Sequence, residues 1–173
     1  MAFEIKLDRG PAYQFGSAAL IFSSAALLTA LGYQYIGGLV PCELCLMQRY
    51  AYYAAIPVLF AAIALASAGK RGWAAALFFL VSLAFLANAG LGTYHAGAEW
   101  KYWPGPATCT GEQAISTSAG SLLKEIEGVR VVRCDEASWR LFGLSFAGWN
   151  VVASLLLMLL TLRAAFASAD SRG

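Results

Sequence analysis

The stretch PCELCLMQRYAYYAAIPVLFAAIALASA, residues 41–68, decides how the rest of the chain is read. It opens on a proline and a C-x-x-C pair, Cys42 and Cys45, and then runs to Ala68 with a single charged residue, Arg49, near its start. An α-helix needs about 20 mostly apolar residues to cross the hydrocarbon core of a bilayer. Residues 45–68 are therefore predicted to span a membrane, with the two cysteines at the mouth of the helix. Pro57 near its middle predicts a kink, which membrane helices tolerate where neighbours re-satisfy the freed backbone groups.

Three more apolar runs lie on either side. Residues 13–35 and 73–94 carry no charge, and residues 146–166 carry only Arg163 near the end. The first run is too long for the apolar region of a signal peptide, and further spans follow it, so it is predicted to be a span. Composition agrees: 60% of the 173 residues are hydrophobic and 13% are charged, with a mean hydropathy of +0.62. Soluble domains carry about 25% charged residues. A net charge of only +2 offers no basic footprint for nucleic acid. The prediction is an all-α membrane protein: one integral domain over residues 1–173, folded as an antiparallel four-helix transmembrane bundle. Small residues such as Gly16, Ala18, Ala19 and Ala74–Ala76 would let its helices approach closely.

Two connections matter. Residues 36–44 contain no Lys or Arg, and residues 95–145 form the one long polar region, with five basic against six acidic residues. Within the latter, residues 116–127 read as a short interfacial helix whose Leu122, Leu123 and Ile126 face the membrane surface. Lys6, Arg9, Lys70, Arg71, Arg163 and Arg172 all fall on one side of a four-span arrangement. By the positive-inside rule both termini are cytoplasmic, and loops 36–44 and 95–145 face the other side. All four cysteines, Cys42, Cys45, Cys109 and Cys134, then share the extracytoplasmic side, which in bacteria is oxidising.

A C-x-x-C at a helix start is a redox geometry, because the helix N-terminus favours the reactive thiolate. Arg49 lies four residues after Cys45 on the same face. It could stabilise a thiolate or hold a carbonyl oxygen of a bound ring, and Gln48 adds an amide beside it. A charge at membrane depth is costly and usually has a role, although an arginine near a helix end can also simply snorkel. His95, the sole histidine, falls just past the third span. There it is either a surface group or a proton donor titrating near neutrality. Trp100, Tyr102 and Trp103 suit an interfacial aromatic belt.

Other uses of the cysteines exist. Zinc sites of four cysteines usually come as two close pairs, whereas 24 residues separate Cys109 from Cys134, so no metal is expected. Cys109 and Cys134 could form an inert structural bridge. That role fits Cys42 and Cys45 poorly, because so small a loop stabilises little.

The segment Pro41-Cys-Glu-Leu-Cys45 followed by Gln48-Arg49-Tyr50 resembles the disulfide bond formation protein B (DsbB) family. So do Tyr94-His95, Pro104 and Pro106 before Cys109, and Cys134-Asp135 followed by Trp139, Gly143, Ser145 and Trp149-Asn150. The likeness covers nearly the whole chain. It implies a quinone-dependent protein dithiol oxidoreductase of the bacterial inner membrane. A periplasmic thioredoxin-like, DsbA-type oxidase would be reoxidised at a Cys109–Cys134 disulfide, with Cys109 taking the mixed disulfide. Cys134 would then attack Cys42, freeing Cys45 as a thiolate beside a ubiquinone or menaquinone held by Arg49 and contacted by His95. The quinone pool of the respiratory chain would receive the electrons. The vitamin K epoxide reductase family shares the four spans, but there the loop pair precedes the C-x-x-C. A non-catalytic carrier with structural disulfides is the rival of another class. Carriers usually interrupt their spans with polar residues, and here Gln48, Arg49 and Asn88 are almost the only ones.

Overall fold

The computed structural model describes residues 10–106, 137 and 139–170. Their order is α1 (Pro11–Tyr35), α2 (Glu43–Ser67), α3 (Arg71–Glu99), β1 (Arg140–Leu141), β2 (Leu144–Ser145) and α4 (Phe146–Asp170). All four helices are long and apolar enough to cross a membrane. The architecture is the expected four-helix transmembrane bundle. The short helix expected over residues 116–127 lies outside the described residues.

Each helix is apolar around its whole circumference, as a membrane span must be. Ile21, Phe60, Leu80 and Phe166 point outward, more than half exposed, where lipid would cover them. Facing inward are Ala19, Leu59, Ala62, Ala74, Phe78, Phe85, Leu157 and Ala164, all buried. α3 packs most extensively on α4, and α1 closes the ring by packing on both α2 and α4. Buried hydroxyls are satisfied along their own helices: Ser23, Thr161 and Ser168 each donate to the carbonyl four residues back at 2.8 Å. Side-chain amides tie different helices together. Asn88 on α3 donates to Ser154 Oγ on α4 at 3.0 Å, and Tyr52 on α2 donates to Asn150 Oδ1 on α4 at 2.8 Å.

The helix ends depart from the hydropathy reading. α3 continues beyond Tyr94 to Glu99, and α4 beyond Phe166 to Asp170. The Ala-Gly-Ala run after His95 ends the hydropathy signal but lets the helix pack closely, with Gly97 and Ala98 buried. Residues 95–99 are therefore helix and not the start of the long loop. A two-residue hairpin turning at Phe142-Gly143, both at positive φ, precedes α4 and was not foreseen. α2 runs as one helix through Pro57.

Of the small residues expected at helix contacts, Gly16, Ala19 and Ala74 are buried, whereas Ala18 and Ala76 face outward. Gly16 is the tightest of them: a Cβ there would sit 2.7 Å from Phe78 Cζ and 3.1 Å from Ile63 Cγ1. Phe78 is fully buried and has no room to retreat. Gly16→Ala is expected to destabilise the bundle by about 1–3 kcal/mol, read as a lower denaturation midpoint in detergent. Combining it with Phe78→Leu should recover part of the loss.

Candidate active site

The site forms where the N-terminus of α2 meets the C-terminal turn of α3. Cys42 is the N-cap of α2, and its sulfur accepts from the backbone N–H of Cys45 at 3.3 Å. The cap leaves Cys42 buried and Cys45 one turn in, with their sulfurs 2.7 Å apart. A tetrahedral zinc with Zn–S bonds of about 2.3 Å would hold two sulfurs roughly 3.8 Å apart. Donor atoms of Cys42, Cys45 and His95 do lie within 4.8 Å of one another. The sulfur spacing nevertheless suits a dithiol–disulfide pair better than an ion cage.

His95 is not a surface group. It lies in the last two turns of α3, 2% exposed, with Nε2 3.7 Å from the Cys42 sulfur. Gln48, buried on α2, sets the ring: its amide nitrogen donates to His95 Nδ1 at 2.9 Å. That bond leaves the Nε2 side of the neutral ring as the N–H that faces Cys42. Glu99, one turn beyond His95, places Oε1 3.7 Å from the same Nε2.

Arg49 makes its hydrogen bonds away from the cysteines. Its guanidinium donates to Gln34 Oε1 and, at 3.3 Å, to the Ala30 carbonyl, so it is anchored to α1 and not to either sulfur. It still lines the cavity that Cys45 lines. That cavity, of about 540 Å³, is walled mostly by apolar side chains such as Phe22, Leu27, Val40 and Ala153. Cys42, Cys45, Gln48, Arg49, His95 and Glu99 are among its polar groups. Its volume and its few convergent polar groups are those of a small-molecule site. Cys109 and Cys134 lie outside the described residues.

Aromatic contacts frame the cavity mouth. Trp139 stacks on Phe146 at 4.9 Å, and Phe146 meets Tyr33 edge-on at 5.1 Å, tying the hairpin to the end of α1. Trp103 folds back over α3, stacks on Tyr94 at 6.1 Å and donates to the Tyr94 carbonyl at 2.9 Å. Its ring occupies the space a side chain at Gly97 would need.

The disulfide bond formation protein DsbB family matches residues 14–164. The chain belongs to the DsbB family. Among its relatives, the disulfide bond formation protein B of Verminephrobacter eiseniae is 33% identical over 153 residues, covering 83% of this chain and 81% of that protein. That of Acidovorax sp. (strain JS42) is 30% identical over 158 residues, covering 83% of each chain. That of Aromatoleum aromaticum is 31% identical over 163 residues, covering 90% of this chain and 92% of its own. No solved structure was found to match the chain.

The geometry brings together Cys42, Cys45, Gln48 and His95, with Arg49 across the cavity. Gln34 and Glu99 were missed. Gln34 is a polar residue near the end of an otherwise apolar helix, and Glu99 lies four residues from the sole histidine; both signals were available.

The Cys42 thiol is lowered to about 5. The leading cause is the S–H of Cys45 donating to its sulfur; burial opposes, and His95 adds a further lowering. Cys42 should therefore be thiolate at neutral pH and lose reactivity only as pH falls through about 5. In reduced Cys109→Ala/Cys134→Ala protein, the pH profile of Cys42 alkylation is expected to rise there, far below the ordinary thiol range of about 8.5. Cys45→Ser and Gln48→Ala should each move the midpoint upward.

Proposed function

We propose that this protein is a quinone-dependent dithiol oxidoreductase that reoxidises a periplasmic, DsbA-like thiol oxidase and so sustains disulfide formation in exported proteins. The observation that carries the reading is the Cys42–Cys45 pair opening into an apolar cavity whose polar groups include Arg49 and His95. Membership in the DsbB family supports it. In this reading the chain sits in the bacterial inner membrane as one integral domain, with both termini cytoplasmic and the cysteine pair at the periplasmic face.

The cysteines act in sequence. The partner's thiolate attacks the Cys109–Cys134 disulfide and forms a mixed disulfide with Cys109. Cys134 then attacks Cys42, and Cys45 leaves as a thiolate; the partner's second thiolate resolves the mixed disulfide, so the partner departs oxidised and Cys109 is released as a thiol. Each exchange requires an attacking thiolate and a good leaving group.

The cavity fits an aromatic ring bearing two carbonyl oxygens. Arg49 would hold one oxygen with a charged donor, shared with Gln34. His95, oriented by Gln48, would serve the ring from the sulfur side. The apolar walls exclude water and would suit an isoprenoid tail. A ubiquinone or menaquinone there supplies a two-electron acceptor that the protein lacks.

The test is quinone reduction by purified protein in detergent, driven by a reduced thioredoxin-like dithiol protein. Wild type should turn over, and Cys45→Ser should abolish turnover. Arg49→Ala should raise the KM for quinone about tenfold to a hundredfold, the worth of one charged hydrogen bond. A wild type that reduces neither ubiquinone nor menaquinone would overturn the reading and favour a structural membrane protein.

A further inference from the structure

Glu99 has no task in the scheme above, yet its surroundings are costly to maintain. The residue is 8% exposed, and its Oε2 is buried without a hydrogen-bond partner among the described residues. Its residue lines the cavity together with Cys42, Cys45 and His95. A carboxyl at the outer end of a membrane helix has water within easy reach, so burying one with an oxygen left unpaired calls for a reason.

The contact at His95 supplies one. Nε2 lies 3.7 Å from the Cys42 sulfur and 3.7 Å from Glu99 Oε1. One ring N–H thus faces two acids and can serve one anion at a time. A second anion in so buried a place would be repelled by the first. The other groups around Glu99 do not relieve this. Arg140 acts on the carboxyl from the hairpin but is exposed, so solvent and salt screen it. The Ser145 hydroxyl hydrogen-bonds the carboxyl but carries no charge to offset a second anion. Arg49 is engaged on α1. Cys45 adds a further potential negative charge.

Resting on the function proposed above, we propose that Glu99 is a proton donor in quinone reduction. It stays neutral while the Cys42–Cys45 pair carries a thiolate, and it gives up its proton as that thiolate is consumed. In the net step the Cys42 thiolate and the Cys45 thiol join in an S–S bond. Two electrons leave the sulfurs for the quinone, and the Cys45 and Glu99 protons supply the two that the quinone takes up. The Glu99 carboxylate inherits both the negative charge and the His95 N–H, so the site holds one anion before and after. When the charge sits on Cys45 and Cys42 is bonded to Cys134, the second proton comes from the Cys109 thiol as Cys109 and Cys134 rejoin. Gln48 holds the ring aimed between the two acids throughout.

The experiment is oxidised-minus-reduced infrared difference spectroscopy on the full-length protein carrying Cys109→Ala/Cys134→Ala. The sample holds no quinone, and diamide oxidises the remaining pair. The carbonyl stretch of a protonated carboxyl should vanish on oxidation, be absent from both states of Glu99→Gln, and be displaced in Glu99→Asp. A spectrum without that loss, or a loss that survives Glu99→Gln, overturns the proposal whatever the quinone assay shows. In the four-cysteine protein, Glu99→Gln should slow single-turnover quinone reduction by on the order of a hundredfold or more. Electron transfer from the dithiol partner to the loop disulfide should keep its rate. An unchanged quinone rate would overturn the donor role. A wild type that loses the band but reduces no quinone would instead overturn the function proposed above and the proton's destination, leaving the exchange of charge intact.

Discussion

Inside hydrocarbon a backbone has no water to bond with, so every N–H and C=O must be satisfied within the protein. That constraint makes four continuous helices of this chain and pushes its chemistry to their ends. A helix end is where unpaired N–H groups are available to a thiolate, and where the chain can leave regular geometry without penalty. Cys42 sits at such an end as the N-cap of α2. The antiparallel course of the bundle then brings the C-terminal turns of α3 alongside, carrying His95 and Glu99. The site is a meeting of two helix termini, closed on a third side by α1 through Gln34.

Polar groups are spent sparingly within the spans, and several are paired across helices or along their own. Asn88, Ser154, Tyr52 and Asn150 join three helices at the cavity wall. Their bonds fix how α2, α3 and α4 are rotated about their axes, which apolar surfaces sliding in lipid would specify poorly. The rotation of α2 decides whether Gln48 reaches His95, so the network beside the site helps to set the geometry of the site itself.

Much of this was legible in the sequence. Hydropathy found every span, because apolar length is set by bilayer thickness. The C-x-x-C at the start of the second span marked the two cysteines that the structure brings together at the cavity. What failed was the end of α3. Hydropathy stops at Tyr94, yet the helix continues because Gly97 and Ala98 pack where larger residues could not, and the Trp103 ring lies over Gly97. His95 was consequently read just past the span, with a surface position left open, when it is among the most buried side chains. Arg49 was read along its own helix, where spacing is informative. Its partners on α1 are 15 and 19 residues away in sequence, and no periodicity reports such a distance.

The anchoring of Arg49 on α1 carries a thermodynamic corollary. Gln34 and the Ala30 carbonyl are the partners that occupy the guanidinium. A guest that takes hydrogen bonds from Arg49 must share or displace them, so occupancy of the cavity and the seating of α1 on the bundle belong to one linked equilibrium. Linkage runs both ways. A guest that bridges Arg49 and α1 fastens the first helix, whereas one that strips Arg49 from Gln34 loosens it. The first span is therefore a wall of the cavity and not merely a tether.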